Sequence, residues 1–140
     1  MTSQPIGSFV IVVNSKNQIL LGKRKNSFGP GLYGFPGGRL ELSETLADCA
    51  KRELLEETGL MAKSVKFLGV IRTLQDSGNF IHFAFLCDEY EGEIELKEPG
   101  KCEAWNFYQQ TDIPSNTLPA HLSGIDLLNG RKTNFVDILT

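Results

Sequence analysis

The spacing of hydrophobic and polar positions changes character several times along this chain, and each change predicts an element. Ser8 to Val13 is an apolar run of strand length, rich in β-branched residues, and predicts a buried strand. Asn17 to Gly22 predicts its neighbour, after a turn at Asn14-Ser15-Lys16-Asn17. Lys23 to Gly38 keeps no such period, and its glycines and prolines predict a long loop. The period then becomes helical: Leu46, Ala47, Ala50 and Leu54 share an apolar stripe about 100° wide. Thr45 followed by Asp48 fits a helix start, no Pro or Gly interrupts the stretch to Thr58, and Gly59 stands where a left-handed cap would end it. Val65 to Leu74 and Phe80 to Cys87 predict two long strands joined at Asp76-Ser77-Gly78-Asn79. Gly92 to Leu96 alternates like a short edge strand, Glu103 to Tyr108 predicts another strand, and Pro119 to Leu128 a second helix. Strands interleaved with two helices predict an α/β domain, a sheet flanked by helices.

The first helix carries more than its packing stripe. Glu53, Glu56 and Glu57 fall within an arc of about 100° beside it. Like charges three and four residues apart cost a helix roughly 0.2–0.5 kcal/mol per pair. A divalent cation turns that repulsion into binding, and hard carboxylate oxygens suit Mg²⁺ or Mn²⁺. On its own the trio fits a solvated helix face equally well. Arg52, next to it, has the planar fork that holds a carboxylate with two hydrogen bonds, so its expected service is to the glutamates. Pro36-Gly37-Gly38, just upstream, is a breaker cluster that lets backbone approach a ligand closely.

The frame around the glutamates decides between these readings. Gly38, Glu44, Arg52, Glu53, Leu54, Glu56, Glu57, Gly59 and Leu60 stand at the spacing G-x5-E-x7-R-E-U-x-E-E-x-G-U (U aliphatic), and so resemble the Nudix box. Leu20 through Gly38, with Arg39-Leu40-Glu41, is similar to the MutT-type nucleotide pyrophosphatases, in particular the mammalian MutT homologue 2 group. The resemblance implies a Nudix α/β/α sandwich with a mixed central sheet, Mg²⁺ as cofactor with Mn²⁺ as a substitute, and hydrolysis of nucleoside triphosphates to monophosphate and pyrophosphate. It assigns Glu53 as base or bridging ligand, oriented by Arg52. Glu56, Glu57 and the Gly38 carbonyl become metal ligands, and Glu44 holds the loop or a metal-bound water. Glu103, in Glu103-Ala104-Trp105, matches a Glu near the metals in MutT-like proteins, with Glu98 as its competitor. Substrate contacts would come from Arg24, with Lys23 a weaker phosphate clamp, from Phe28, Tyr33 and Phe35 stacking on a base, and from Asn116 reading it. Core packing is the competing role for each aromatic and for Trp105. His82 and His121 have no metal-ligand spacing and read as structural or exposed. Within the family the alternatives are ADP-ribose, a nucleotide sugar or a dinucleoside polyphosphate. Outside it stands a Nudix-fold domain that senses a nucleotide without cleaving it.

Composition narrows the picture further. The chain has 140 residues, the length of one ordinary domain, so 1–140 reads as a single unit. A net charge of −3 argues against a nucleic-acid polymer as partner while leaving a small nucleotide open. Cys49, Cys87 and Cys102 offer neither a disulfide framework nor a zinc motif, which suits a reducing, cytoplasmic compartment. No apolar run is long enough to span a membrane, and the N-terminus has no signal-peptide pattern. The family resemblance is the sole pointer to a homodimer.

Overall fold

The computed structural model describes residues 4–25, 30–75 and 78–139. Ten strands and two α-helices follow one another as β1 (Ile6–Val12), β2 (Ile19–Arg24), β3 (Tyr33–Gly34), β4 (Gly37–Arg39), α1 (Leu46–Thr58), β5 (Met61–Ala62), β6 (Lys66–Gln75), β7 (Gly78–Cys87), β8 (Tyr90–Glu91), β9 (Cys102–Tyr108), α2 (Pro119–Leu128) and β10 (Asn134–Leu139). A mixed five-stranded sheet has the order β10-β6-β7-β1-β4, and an antiparallel sheet β3-β2-β9 lies beside it. β1 runs parallel to β7 and antiparallel to β4.

The unbroken apolar run of β1 follows from this position. Phe9 and Ile11 join the core on the α2 side, with Ile19, Leu21, Ala120, Ile125 and Leu127. Val10 and Val12 join the core on the α1 side, with Leu20, Ala50, Leu54 and Leu60. A strand covered on both faces has no solvent side on which to alternate. The expected α/β/α sandwich with a mixed sheet is therefore what forms.

α1 begins and ends as its sequence requires. The Thr45 hydroxyl accepts from the Asp48 N–H at 3.1 Å, and Gly59 closes the helix at φ 79° with its N–H donated to the Leu55 carbonyl. A side-chain cap of this kind stabilises by about 1 kcal/mol. α2 spans the residues expected of it.

Three features depart from the pattern reading. The Lys23–Gly38 stretch holds β3 and β4, which are too short to show a period. Gly92 to Leu96 is not a strand: Gly92 turns at φ 97°, and the Glu95 N–H goes to the Thr58 carbonyl at 2.8 Å. This segment satisfies the open C-terminal end of α1 instead of a sheet edge. β10 was not expected; it pairs in parallel with β6, a partner more than sixty residues away that no local pattern reveals.

Candidate active site

Geometry begins with β4. Its glycines lie so close to β1 that a Cβ on Gly37 would stand 2.5 Å from the Ser8 carbonyl oxygen and 2.7 Å from the Phe9 Cβ. A Cβ on Gly38 would stand 2.5 Å from the Glu53 carboxyl carbon. Only glycine lets the loop sit between the sheet and the helix carboxylates. The Gly37 N–H then donates to Glu57 Oε2 at 2.7 Å, which ties β4 to α1.

Arg52 is hydrogen-bonded to three carboxylates. Its Nε and Nη2 donate to the two oxygens of Glu44 at 2.6 and 3.0 Å, a fork-to-fork pair. Its Nη1 donates to Glu53 Oε1 at 2.8 Å and to Glu56 Oε2 at 3.3 Å, and its Nη2 also reaches the Arg39 carbonyl at 3.0 Å. The Arg52 bonds hold Glu44 at a pKa of about 2, so that carboxylate stays ionised. The same bonds push Arg52 further up. One guanidinium thus ties the loop before α1 to the first glutamate of the acidic face.

Glu53 and Glu57 experience a different field. Burial raises Glu53 above the ordinary carboxylate range, against the pull of Arg52. Burial, then the Glu53 charge, lifts Glu57 to about 8. Each presents one oxygen tied to a protein donor and a second that no described residue binds. Untied oxygens on repelling, partly buried carboxylates are the donor set of a hard divalent cation. Glu53, Glu56, Glu57 and the Gly38 carbonyl are the groups here that could hold a Mg²⁺, although among the described residues no three acidic, histidine or cysteine side chains converge around one point.

The remaining expected residues divide into two groups. Glu103 is engaged by Lys23 Nζ at 3.3 Å, both side chains being about half exposed. Glu98, from the loop that caps α1, adds a minor charge contribution to the raised pKa of Glu53 and Glu57, well behind burial in both. Lys101 meets Glu98 at 3.5 Å, at the rim. Arg24, largely buried, feels the Glu57 charge. Tyr33 sits edge-on to Tyr108 at 6.0 Å and packs on the core, and Trp105 packs on the α1-side core. Asn116 donates its side-chain amide to the Gly31 carbonyl at 3.0 Å, holding the turn before β3. Phe28 lies outside the described residues.

Phe35 opens onto a feature the sequence did not disclose. A cavity of about 430 Å³ lies on the α2 side of the sheet, walled by Phe9, Phe35 and Phe80 and closed by Leu118 to His121. Arg24, Gly37 and Gly38 line it too, so the cavity and the carboxylates share a wall. His82 and His121 are both part of it, and His121 is buried rather than exposed. Its Nδ1 accepts from the Phe35 N–H at 2.7 Å, and its ring stacks on Phe35 at 5.3 Å with an interplanar angle of 5°. Phe80 and His82 are two apart on one strand and therefore share a sheet face, the one signal that could have paired them. The contributions from β1, β7 and the start of α2 meet only through the fold.

Comparison with known proteins agrees with this arrangement. An ADP-ribose pyrophosphatase of Methanocaldococcus jannaschii is 35% identical over 105 residues, 74% of this chain and 61% of that protein. An oxidized purine nucleoside triphosphate hydrolase of Danio rerio is 35% identical over 91 residues, 60% of this chain and 55% of that protein. The match thus spans less than two thirds of either relative's length. A MutT NUDIX hydrolase structure from Burkholderia pseudomallei superposes with a TM-score of 0.86 at 24% identity, covering 91% of this chain and 99% of that one. The NUDIX domain profile matches residues 4–127, nearly the whole chain, and the chain belongs to the Nudix family.

Proposed function

We propose that this Nudix domain is a Mg²⁺-dependent pyrophosphohydrolase acting on nucleoside triphosphates, modified ones included, and releasing monophosphate and pyrophosphate in the cytoplasm. The observation that carries the reading is the shared Gly37–Gly38 wall between an aromatic cavity and the glutamate face of α1, with Arg24 at the junction. A flat base fits the first, a phosphate chain the second, and a cation at the junction suits the negative charge that links them. The resemblance of the chain to the Danio rerio enzyme, whose name specifies oxidized purine nucleoside triphosphates, supports the same class.

Mg²⁺, held by Glu53, Glu56, Glu57 and the Gly38 carbonyl, would neutralise phosphate charge and acidify a water. The chain's own residues supply the rest. Arg52 fixes Glu53 so that its untied oxygen can take the proton of the attacking water. Oxygen bonds to a phosphorus of the α–β anhydride, the bond from that phosphorus to the bridging oxygen breaks in line, and monophosphate and pyrophosphate separate. Arg24 meets the phosphate charge from the cavity side.

Product analysis on a nucleotide panel with and without Mg²⁺ tests this. The panel holds the common triphosphates, 8-oxo-dGTP, ADP-ribose and GDP-mannose. Metal-dependent pyrophosphate release from a triphosphate is the expected outcome. ADP-ribose is the second reading, favoured by the Methanocaldococcus jannaschii relative. Its exclusive cleavage would replace the triphosphate assignment, and no turnover at all would favour a nucleotide sensor.

A further inference from the structure

His82 occupies an unusual place in the cavity wall. Its ring lies 4.5 Å from that of Phe80, 5.8 Å from Phe9 and, edge-on, 6.1 Å from His121. The other polar groups nearby are spoken for. His121 accepts from the Phe35 N–H, and the Thr73 hydroxyl leans on the Phe80 carbonyl at 3.4 Å. Among the described residues nothing hydrogen-bonds to the nitrogens of His82. Burial lowers its pKa to about 4, so the ring is neutral under ordinary conditions and carries one N–H donor and one bare acceptor.

The His82 nitrogens reach solvent, so a ligand that covers them displaces water and costs free energy unless it bonds to them in turn. The missing partner has to be flat, to lie among Phe9, Phe35 and Phe80, and uncharged where it meets His82, because that ring and the buried His121 are neutral and the positive charge of the cavity wall comes from Arg24 and Arg39 instead. A phosphate fails the second requirement. A pyranose fails the first, and its many hydroxyls would find too few partners here. The edge of a nucleobase, with donors and acceptors side by side in one plane, meets both.

On the nucleotide reading above, we propose that His82 is the specificity-determining residue of this domain, hydrogen-bonding the edge of the base and ranking the bases against one another. A site that offers a hydrogen bond rejects a ligand unable to complete it far more strongly than an apolar pocket rejects a poor fit.

The test uses the four common nucleoside monophosphates, which have no anhydride to cleave. Their dissociation constants would be measured by calorimetry on the wild type, His82→Phe, which keeps the ring packing, and His82→Gln, which keeps a donor and an acceptor. Triphosphate turnover with Mg²⁺ would be followed in parallel. The expected result is a clear ranking in the wild type that His82→Phe levels to within about threefold, with roughly tenfold weaker binding of the preferred base. His82→Gln should rank the bases in a new order, and it carries the test if His82→Phe does not fold. A wild-type ranking that survives in a folded variant overturns the proposal, as does a wild type that binds all four alike. Failure of the triphosphate reading shows separately, as ranked monophosphate binding without pyrophosphate release.

Discussion

Replacing Glu57 with Gln should stabilise the metal-free protein at alkaline pH and remove its response to Mg²⁺. Burial and the Glu53 charge raise Glu57 from its ordinary 4.5 to about 8. The folded chain therefore holds this proton more tightly than the unfolded chain does. Stability from this group is complete below about pH 4.5 and is lost as pH climbs through about 8. At about 1.4 kcal/mol per pH unit, the window between those values corresponds to about 5 kcal/mol as an upper bound. Water entry reduces that, and about 2–3 kcal/mol is the figure to expect. Gln keeps an oxygen for the Gly37 N–H and never ionises, so it avoids the loss. In chelator at pH 9, Glu57→Gln should melt roughly 6–12 °C above the wild type, and the two should converge near pH 4.5. Adding Mg²⁺ at pH 8 should raise the melting temperature of the wild type and leave the variant unmoved. Equal melting curves in chelator at pH 9 would show that Glu57 carries no buried charge and would refute the reasoning.

The remaining predictions concern the same constellation. Glu56, exposed and joined to Arg52 at only 3.3 Å, should tolerate Glu56→Gln without a change in melting temperature beyond about 1 °C, while turnover falls by roughly 100-fold or more in a steady-state pyrophosphate assay. Arg52→Lys keeps the charge but cannot bridge Glu44, Glu53 and the Arg39 carbonyl at once, and should lower kcat by about 10- to 100-fold with the fold intact by circular dichroism. Glu98→Gln should weaken activation in a Mg²⁺ titration by at least about fivefold, because its charge reaches Glu53 and Glu57, whereas Glu103→Gln should change it by less than about twofold. The reverse order would restore Glu103 to the metal site.

The parts of the site legible in the sequence are those whose geometry is local. Arg52, Glu53, Glu56 and Glu57 stand on one helix, and Thr45 and Gly59 fix where that helix begins and ends. Helical periodicity then sets their relative directions before any tertiary contact forms. Gly38 was legible for a related reason, since a glycine at that spacing signals a close approach, and the neighbour it avoids is the Glu53 carboxylate. The cavity had no comparable signal. Phe9 looks like any core residue of a buried strand, and the ring it stacks on at 4.6 Å is that of His121, more than a hundred residues away. Sequence spacing also could not choose between Glu98 and Glu103. That choice depends on how the 93–101 segment crosses the end of α1, where the Glu95 N–H finds the Thr58 carbonyl.

This division has a physical consequence for how the domain can vary. The hydrolytic face is tied together by short-range bonds: Arg52 to Glu44 and Glu53, and Gly37 to Glu57. Changing any one of them disturbs the others, because the carboxylates repel and each depends on its tie to stay in place. The aromatic cavity is assembled from β1, β7 and the start of α2, and it bears on the glutamates through the Gly37–Gly38 wall and the Arg24 charge. A substitution at Phe80 or His82 can therefore alter what the cavity accepts while the Arg52 network keeps its geometry. On the proposed nucleotide reading, the same backbone can carry one phosphate chemistry with different bases, and the cavity residues that would select the base come from elements far apart in the sequence.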